Sequence, residues 1–238
     1  MSESREIPIS TPTTGLSDIT EGAGAAAAGA AAVAAIAIGG VCWAMGSGMI
    51  KGCKEVYKMC KDGKYPVENL QMAYTPISNF DGLTQMLKGQ GFRLDSEVTA
   101  PDLGISIAFN PLTSERLFVV NSYNGIGLIS ESKDLIQSSI HGFAIQEISL
   151  ALQDSGFRVT VEEKGKDKVI TAHDTQKNHL EIKIVKGTTT VKVDTRKSRR
   201  PKCDLIHQLI SQKLKEPDRN TASEHKTKKR HDIIKVRR

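Results

Sequence analysis

The pattern of apolar and polar positions predicts a mixed α+β protein. Apolar residues at helical spacing predict helices over 79–90, 132–153 and 202–215. Short runs bounded by Gly, Asn or Lys-Gly turn signals predict strands; their ranges are 92–97, 104–109, 116–121, 125–130, 157–163, 167–173, 179–185 and 188–194. We expect a small antiparallel or mixed sheet with packed helices, preceded by one Ala/Gly-rich helix and followed by a disordered basic tail.

One stretch of the sequence is repeated in altered form. "LTQMLKGQGFRL" at 83–94 aligns with "ISLALQDSGFRV" at 148–159. Each stretch has the end of a helix, a Gly suited to the helix C-terminus, and then Phe-Arg at the start of a strand. The repeat indicates either two αβ units on one sheet or a common helix-to-strand junction that occurs twice.

A long uncharged stretch lies near the N-terminus. Residues 22–50 are 29 consecutive residues without a charge, 12 of them Ala and 7 of them Gly. About 20 apolar residues suffice for a helix to cross a bilayer, although Ala and Gly add little hydrophobic driving force. The stretch therefore predicts a transmembrane helix. An Ala/Gly-rich linker and a buried helix of a soluble protein are the alternatives.

The small residues of this stretch recur every four positions, which would place them in a stripe along a helix. The stripe consists of Ala23, Ala27, Ala31, Ala35 and Gly39, and such a stripe lets two membrane helices pack closely. Lys51, Lys54 and further lysines follow the stretch, so the positive-inside rule places the C-terminal domain in the cytoplasm or stroma and the N-terminus outside. A soluble cytoplasmic protein is the alternative location.

Changes in composition along the chain predict six regions. They are a disordered tail (1–21), the Ala/Gly-rich helix (22–50), a basic juxtamembrane segment and linker (51–76), an α+β domain (77–174), a β-hairpin plus helix (175–215) and a disordered basic tail (216–238).

Charge is distributed unevenly. The chain carries a formal +6, but residues 196–238 hold 15 Lys/Arg and 5 Asp/Glu, a net of +10. The candidate basic binding patch comprises Arg196, Lys197, Arg199, Arg200, Lys202, Lys226, Lys228, Lys229 and Arg230. It suits anionic lipid headgroups or nucleic-acid phosphates. Aromatic residues that could stack on bases are not interleaved with it.

Motifs that carry chemistry are absent from the sequence. There is no phosphate-binding glycine loop, nucleophile elbow or zinc-protease motif, and we predict no catalytic residue, cofactor or metal site. His173, Asp174 and His179 could offer metal ligands, but their spacing matches no known site, and solvated turn residues are the commoner case. Glu162 and Glu163 are interpreted as surface charge.

The cysteines do not form a disulfide or zinc pattern, because none of the four belongs to a C-x-x-C pair. Cys203 is the candidate reactive thiol, since it would begin a helix beside basic residues that lower a thiol pKa. Cys53 and Cys60 lie seven residues apart, on one face of a helix, and are either acylated beside the membrane or, more commonly for such a pair, unmodified.

Two parts of the chain resemble small families. "DGLTQMLKGQGFRL", "ISIAF" and "FAIQEISLALQDSGFRVTVEEKGKDKVITA" within 77–174 resemble an uncharacterised cyanobacterial and plastid family. "HLEIKIVKGTTTVKVDT", "RKSRRPK" and "CDLIHQLISQKL" within 179–215 resemble its companion hairpin-Cys-helix family, in which the turn before the Cys is usually Gly-rich rather than basic. Both families accompany a MoxR-type AAA+ ATPase, so the resemblance implies an accessory role beside such an ATPase.

Two functional hypotheses follow. The first is a membrane-tethered, non-enzymatic interaction module that serves as an adaptor for a MoxR-type ATPase. In this hypothesis the small-residue stripe is the surface through which two copies would associate. The second is a soluble nucleic-acid-associated protein that uses the basic C-terminal region. A redox or metal protein that uses Cys203 is a remote third.

Overall fold

The computed structural model describes residues 4–17, 34–38, 41–45, 47–65, 67, 69–95, 104–122, 125–164, 167–175 and 179–194. In chain order the strands and helices are β1 (Ser4–Pro8), β2 (Thr14–Gly15), β3 (Ala34–Ile38), β4 (Val41–Met45), α1 (Ser47–Lys61), β5 (Gln71–Thr75), α2 (Phe80–Gly89), β6 (Arg93–Asp95), β7 (Ile105–Phe109), β8 (Arg116–Ser122), β9 (Gly125–Ser130), α3 (Lys133–Asp154), β10 (Arg158–Lys164), β11 (Asp167–His173), β12 (His179–Ile184) and β13 (Thr190–Asp194).

These elements build two antiparallel sheets and a separate hairpin. The six-stranded sheet has the order β2-β5-β9-β8-β7-β6, and the five-stranded sheet has the order β1-β13-β12-β11-β10. Among the described strands, β3 and β4 pair with each other and with no third strand. The mixed α+β class predicted from the sequence is confirmed, but the described strands form more than one sheet.

Helix α3 lies between the two sheets. Its buried residues, among them Ile136, Phe143 and Leu152, join one apolar core with inward-facing residues of both sheets, such as Leu128 of β9 and Ile182 of β12. Helix α2 packs against α3 in the same layer. Because α3 is apolar on opposite sides, it can bury one side against each sheet.

The other face of the six-stranded sheet is covered by α1. Met49, Cys53 and Val56 of α1 form a second core with Phe118 and Val120 of β8. Central strands that are covered on both faces are apolar throughout, and β9 is buried at every position. The order of layers is therefore α1, six-stranded sheet, α2 with α3, and five-stranded sheet.

The predicted helix over 22–50 is wrong for residues 34–38 and 41–45, which form strands, whereas residues 47–50 begin helix α1. Strands β3 and β4 pair antiparallel, with Ala35 opposite Ala44, so Ala35 lies in a strand rather than in a helical stripe. The Ile and Val residues favour strands, and the sequence Gly39-Gly40 between them is a hairpin signal. Ala23, Ala27, Ala31 and Gly39 lie outside the described residues. Within the described part of the chain, no helix has the length and apolar character needed to span a membrane.

Three other predicted regions differ from the structure. The segment 51–76 is not a juxtamembrane linker, because α1 and β5 contribute to the core of the protein. The N-terminal tail is ordered over 4–17, where β1 and β2 each join a sheet. The division at 174 and 175 falls inside one sheet, because β11 pairs with β12. The predicted helix 202–215 and the tail 216–238 lie outside the described residues.

Candidate interaction surface

Strand β10 is placed at the edge of the five-stranded sheet by the end of α3. Gly156 adopts φ +84°, which favours glycine, and the Phe157 N–H donates to the Leu152 carbonyl at 3.0 Å. This bond turns the chain out of α3 and directs Arg158 into β10. The strand then pairs along its full length with β11, and among the described residues no strand lies along its other side.

The same junction ends α2. Gly91 adopts φ +88°, and the Phe92 N–H donates to the Leu87 carbonyl at 3.0 Å before β6 begins. The repeat found in the sequence is thus a repeated local structure, and in both cases it leads into an edge strand. The two edge strands belong to different sheets, which differs from the expectation of two units on one sheet.

Strand β10 is the longest edge strand described in the two larger sheets, since β1 at the opposite edge of its own sheet has five residues. Its seven residues are exposed apart from Val159, which is half-buried and packs on the main core. Val161 is 45% exposed although its neighbour on β11, Ile170, is fully buried. The edge at β6 has three residues and the edge at β2 has two. A long edge with unpaired backbone groups is a template for another strand.

Charged side chains lie along the exposed strand. Glu162 pairs with Lys164 of the same strand at 3.6 Å, and Glu163 pairs with Lys168 of β11 at 3.5 Å. Three of these side chains are more than half exposed, and Lys168 is 45% exposed, so the pairs add little to folding stability. They leave both carboxylates accessible to a partner.

The outer face of the same sheet carries mostly polar and charged residues, because cross-strand partners share a face and the other face of each strand packs on α3. Val169 of β11 is an apolar exception on this face and is buried. Lys183 of β12 contacts Asp167 of β11 at 2.7 Å, and this hydrogen bond holds the pKa of Asp167 below its usual range. Lys192 of β13 contacts Glu6 of β1 at 3.1 Å. The face thus combines both signs of charge.

A cleft of about 400 Å³ lies where the start of α3 meets the β12–β13 turn. His141 lines it, and its Nε2 lies 2.7 Å from the Thr188 carbonyl oxygen, so the imidazole donates a proton there. Burial lowers the pKa of His141. Glu115 and Asp134 line the cleft together with Lys168 and Lys186. This balance of charges favours neither an anion nor a cation.

The two cysteines of α1 are core residues. Cys53 Sγ lies 3.3 Å from Met72 Sδ, and both Cys53 and Cys60 are buried. Burial raises the pKa of the Cys53 thiol to about 12 and that of Cys60 to about 11. The hypothesis of acylation beside a membrane is therefore wrong, because neither thiol is accessible or nucleophilic in the folded protein.

The other predicted site residues lie outside the described residues. They are Cys203 and the basic patch of Arg196, Lys197, Arg199, Arg200, Lys202, Lys226, Lys228, Lys229 and Arg230. Sequence analysis found Glu162 and Glu163 but treated them only as surface charge. Their place on an open edge depends on the order of strands, and no local signal in the sequence gives that order.

No match to this chain was found among protein-family models, curated proteins or solved structures. The resemblance to the two small families therefore stays a prediction, and a function has to be argued from the geometry of the surface.

Proposed function

We propose that the chain is a non-enzymatic accessory module that binds a protein partner by adding a strand to β10. The observation that carries this proposal is the exposed edge of β10, which is seven residues long. The inner face of its sheet packs on α3, so the sheet holds this edge in place. Backbone hydrogen bonds would give such a complex its affinity, and pockets for alternate side chains its specificity.

The charge and shape of the edge restrict the strand that fits. Glu162 and Glu163 are adjacent acidic residues near the end of β10, and Val161 presents apolar surface beside them. A strand with one apolar residue followed by basic residues would complement all three. The resemblance noted in the sequence suggests the partner class, a MoxR-type AAA+ ATPase.

The membrane tether is a separate hypothesis. This hypothesis rests on a single helix over 22–50, and the pairing of β3 with β4 weakens it. Binding of a partner at β10 does not require a membrane tether. Fractionation of the full chain with carbonate and high-salt washes tests it. Retention in the pellet until detergent is added supports a tether, and release by salt alone contradicts it.

The edge itself is tested with Val161→Lys, because a lysine pointing inward from an edge strand opposes further strand pairing. We expect this variant to bind the MoxR-type ATPase encoded in the same genome at least tenfold more weakly than the unmodified chain does. The matched control is Leu112→Lys, which replaces a 91% exposed apolar residue in the turn between β7 and β8. The control should bind normally.

Hydrogen exchange supplies the second measurement. Amides of β10 should become protected when the ATPase binds. The proposal is wrong if the unmodified chain does not bind the ATPase, or if Val161→Lys binds as well as Leu112→Lys does. Binding that nuclease treatment removes would instead favour the nucleic-acid hypothesis.

A further inference from the structure

The outer face of the five-stranded sheet carries a close pair of histidines. His173 is the last residue of β11, His179 is the first residue of β12, and the two are direct cross-strand partners. Their Nδ1 atoms lie 3.2 Å apart, and the ring centroids lie 4.5 Å apart with the planes inclined by 51°. Antiparallel pairing thus brings together two residues that are six positions apart in sequence.

The separation of the two nitrogens suits a shared metal ion. Zinc binds imidazole nitrogen at about 2.0–2.1 Å in tetrahedral geometry, which sets two ligand nitrogens roughly 3.3 Å apart. Both Nδ1 atoms can point their lone pairs at one cation when each ring carries its proton on Nε2. Without a metal, one Nδ1–H can donate to the other Nδ1. The observed distance therefore fits both forms.

The surroundings of the pair are polar and mixed in charge. On the same face, Glu181 follows His179 two residues along β12, and Asp194 of β13 is the cross-strand partner of Glu181. Arg158 of β10 is the cross-strand partner of His173. In this part of the face the two carboxylates offset the cation of Arg158.

The pair alone would supply two ligands. Among the described residues, no group of three or more His, Cys, Asp or Glu is placed to hold a metal. His173 is exposed, which leaves the other coordination positions open to water or to a side chain of a bound protein. Imidazole is the ligand type that suits zinc, copper and nickel rather than magnesium or calcium.

We propose that His173 and His179 form an open, two-histidine site for a divalent transition-metal ion, with Zn²⁺ as the ion whose geometry it fits. A bound ion would fix the ends of the 174–178 connection to each other. This site is independent of the proposed strand addition at β10.

The proposal is tested by titrating Zn²⁺ into the purified full-length chain after removal of metal with a chelator. We expect one ion per chain, and at least a tenfold loss of affinity in His173→Gln and in His179→Gln. Mg²⁺ should not bind. His231→Gln, in the basic tail, is the matched control and should bind Zn²⁺ as the unmodified chain does.

A second measurement uses the unmodified chain, so its result does not depend on whether a variant folds. In nitrogen-detected NMR of the unmodified chain, Zn²⁺ should shift the Nδ1 signals of His173 and His179 and leave the other ring signals in place. The proposal is overturned if those signals do not move, if neither glutamine variant weakens binding, or if His231→Gln removes it.

Discussion

At the scale of single residues, Gly52 sets how closely α1 approaches the six-stranded sheet. A Cβ placed on Gly52 would overlap Val120 Cγ1 of β8. A Cβ on Gly127 of β9 would come within 2.7 Å of Met49 Sδ on the same helix. Glycine on both elements therefore allows α1 to pack closely on the six-stranded sheet.

We predict that Gly52→Ala lowers the free energy of unfolding by about 1–3 kcal/mol, the usual cost of overpacking a core. Gly48→Ala is the control, because a Cβ at this exposed position in the same helix meets nothing within 4 Å. That variant should raise the free energy of unfolding by up to about 1 kcal/mol, since alanine favours helix. Urea unfolding measures both. A neutral Gly52→Ala would contradict the packing of α1 on β8.

His141 links stability to pH. Burial lowers its pKa in the folded state, Lys168 lowers it further, and the hydrogen bond with the Thr188 carbonyl only partly opposes this. The unfolded chain therefore takes up the proton first as the pH falls. Its contribution to stability is present above the ordinary histidine pKa of about 6.5 and is lost below it.

We predict that the free energy of unfolding falls between pH 7.5 and pH 5.5 and that His141→Gln reduces this fall. One proton contributes at most about 1.4 kcal/mol per pH unit. The amide of glutamine keeps a donor for Thr188 but does not titrate. Denaturant unfolding at the two pH values, with and without the substitution, measures the difference. An unchanged pH dependence in the variant would show that His141 does not carry it.

At the scale of elements, two helices of the central layer begin at side-chain caps. Asn79 accepts a hydrogen bond from the Gly82 N–H at 3.0 Å, and Ser132 accepts one from the Leu135 N–H at 3.1 Å. Asn79 has a second task, because its Nδ2 donates to Glu147 Oε1 on α3 at 2.9 Å. This bond connects the start of α2 to the middle of α3.

We predict that Ser132→Ala costs about 1 kcal/mol, the typical value of a helix cap. Asn79→Ala should cost more, because it also removes a hydrogen bond to a buried carboxylate, worth about 1.5–3 kcal/mol. Chemical unfolding of both variants checks the order. Combining Asn79→Ala with Glu147→Ala isolates the interaction between the two helices, and additive effects would contradict it.

The sequence predicts the bounds of several helices and strands well, but it predicts their arrangement in space poorly. The ranges expected for β9 and β11 match the structure, and helices α2 and α3 lie within a residue of their predicted ends. Apolar spacing and turn residues act locally, so they suffice to predict where these elements begin and end. By contrast, α1 was expected beside a membrane, because the Ala/Gly-rich stretch before it was interpreted as one helix. The apolar face of α1, including Met49 and Val56, is what the second core uses.

The candidate site illustrates the same limit. The approach of His173 to His179 follows from the pairing and register of β11 and β12. The predicted strand ranges do not give this pairing or its register. The open edge of β10 follows from the order of strands across the sheet. Both depend on contacts between distant parts of the chain, which a single sequence does not reveal.

At the scale of the whole molecule, the N-terminal segment joins the two sheets. Strand β1 pairs with β13 at one edge of the five-stranded sheet, and β2 pairs with β5 at one edge of the six-stranded sheet. Between them Thr11 exchanges bonds with Tyr74: its N–H donates to the Tyr74 carbonyl, and its Oγ1 accepts from the Tyr74 N–H. Ile7 and Ile9 add to the main core.

We predict that a chain lacking residues 2–12 loses at least about 3 kcal/mol of stability, since burying Ile7 and Ile9 contributes about 1.5–3 kcal/mol each. A disordered tail, as expected from composition, could be removed without cost. A chain lacking residues 2–3 keeps β1 and should be as stable as the full chain. Thermal melts of the three chains decide between the two outcomes.

The pairing of β1 with β13 also governs how the protein can be made. A ribosome releases the N-terminus first, yet Arg5 has no partner until Val193 has been synthesised. At about 5–20 residues per second, the first strand waits on the order of 10 to 40 seconds. During that interval the growing chain displays the strand edge that β13 is to cover. Conditions that slow translation lengthen this exposure, so expression yield should depend more on chaperone supply than the stability of the finished protein would suggest.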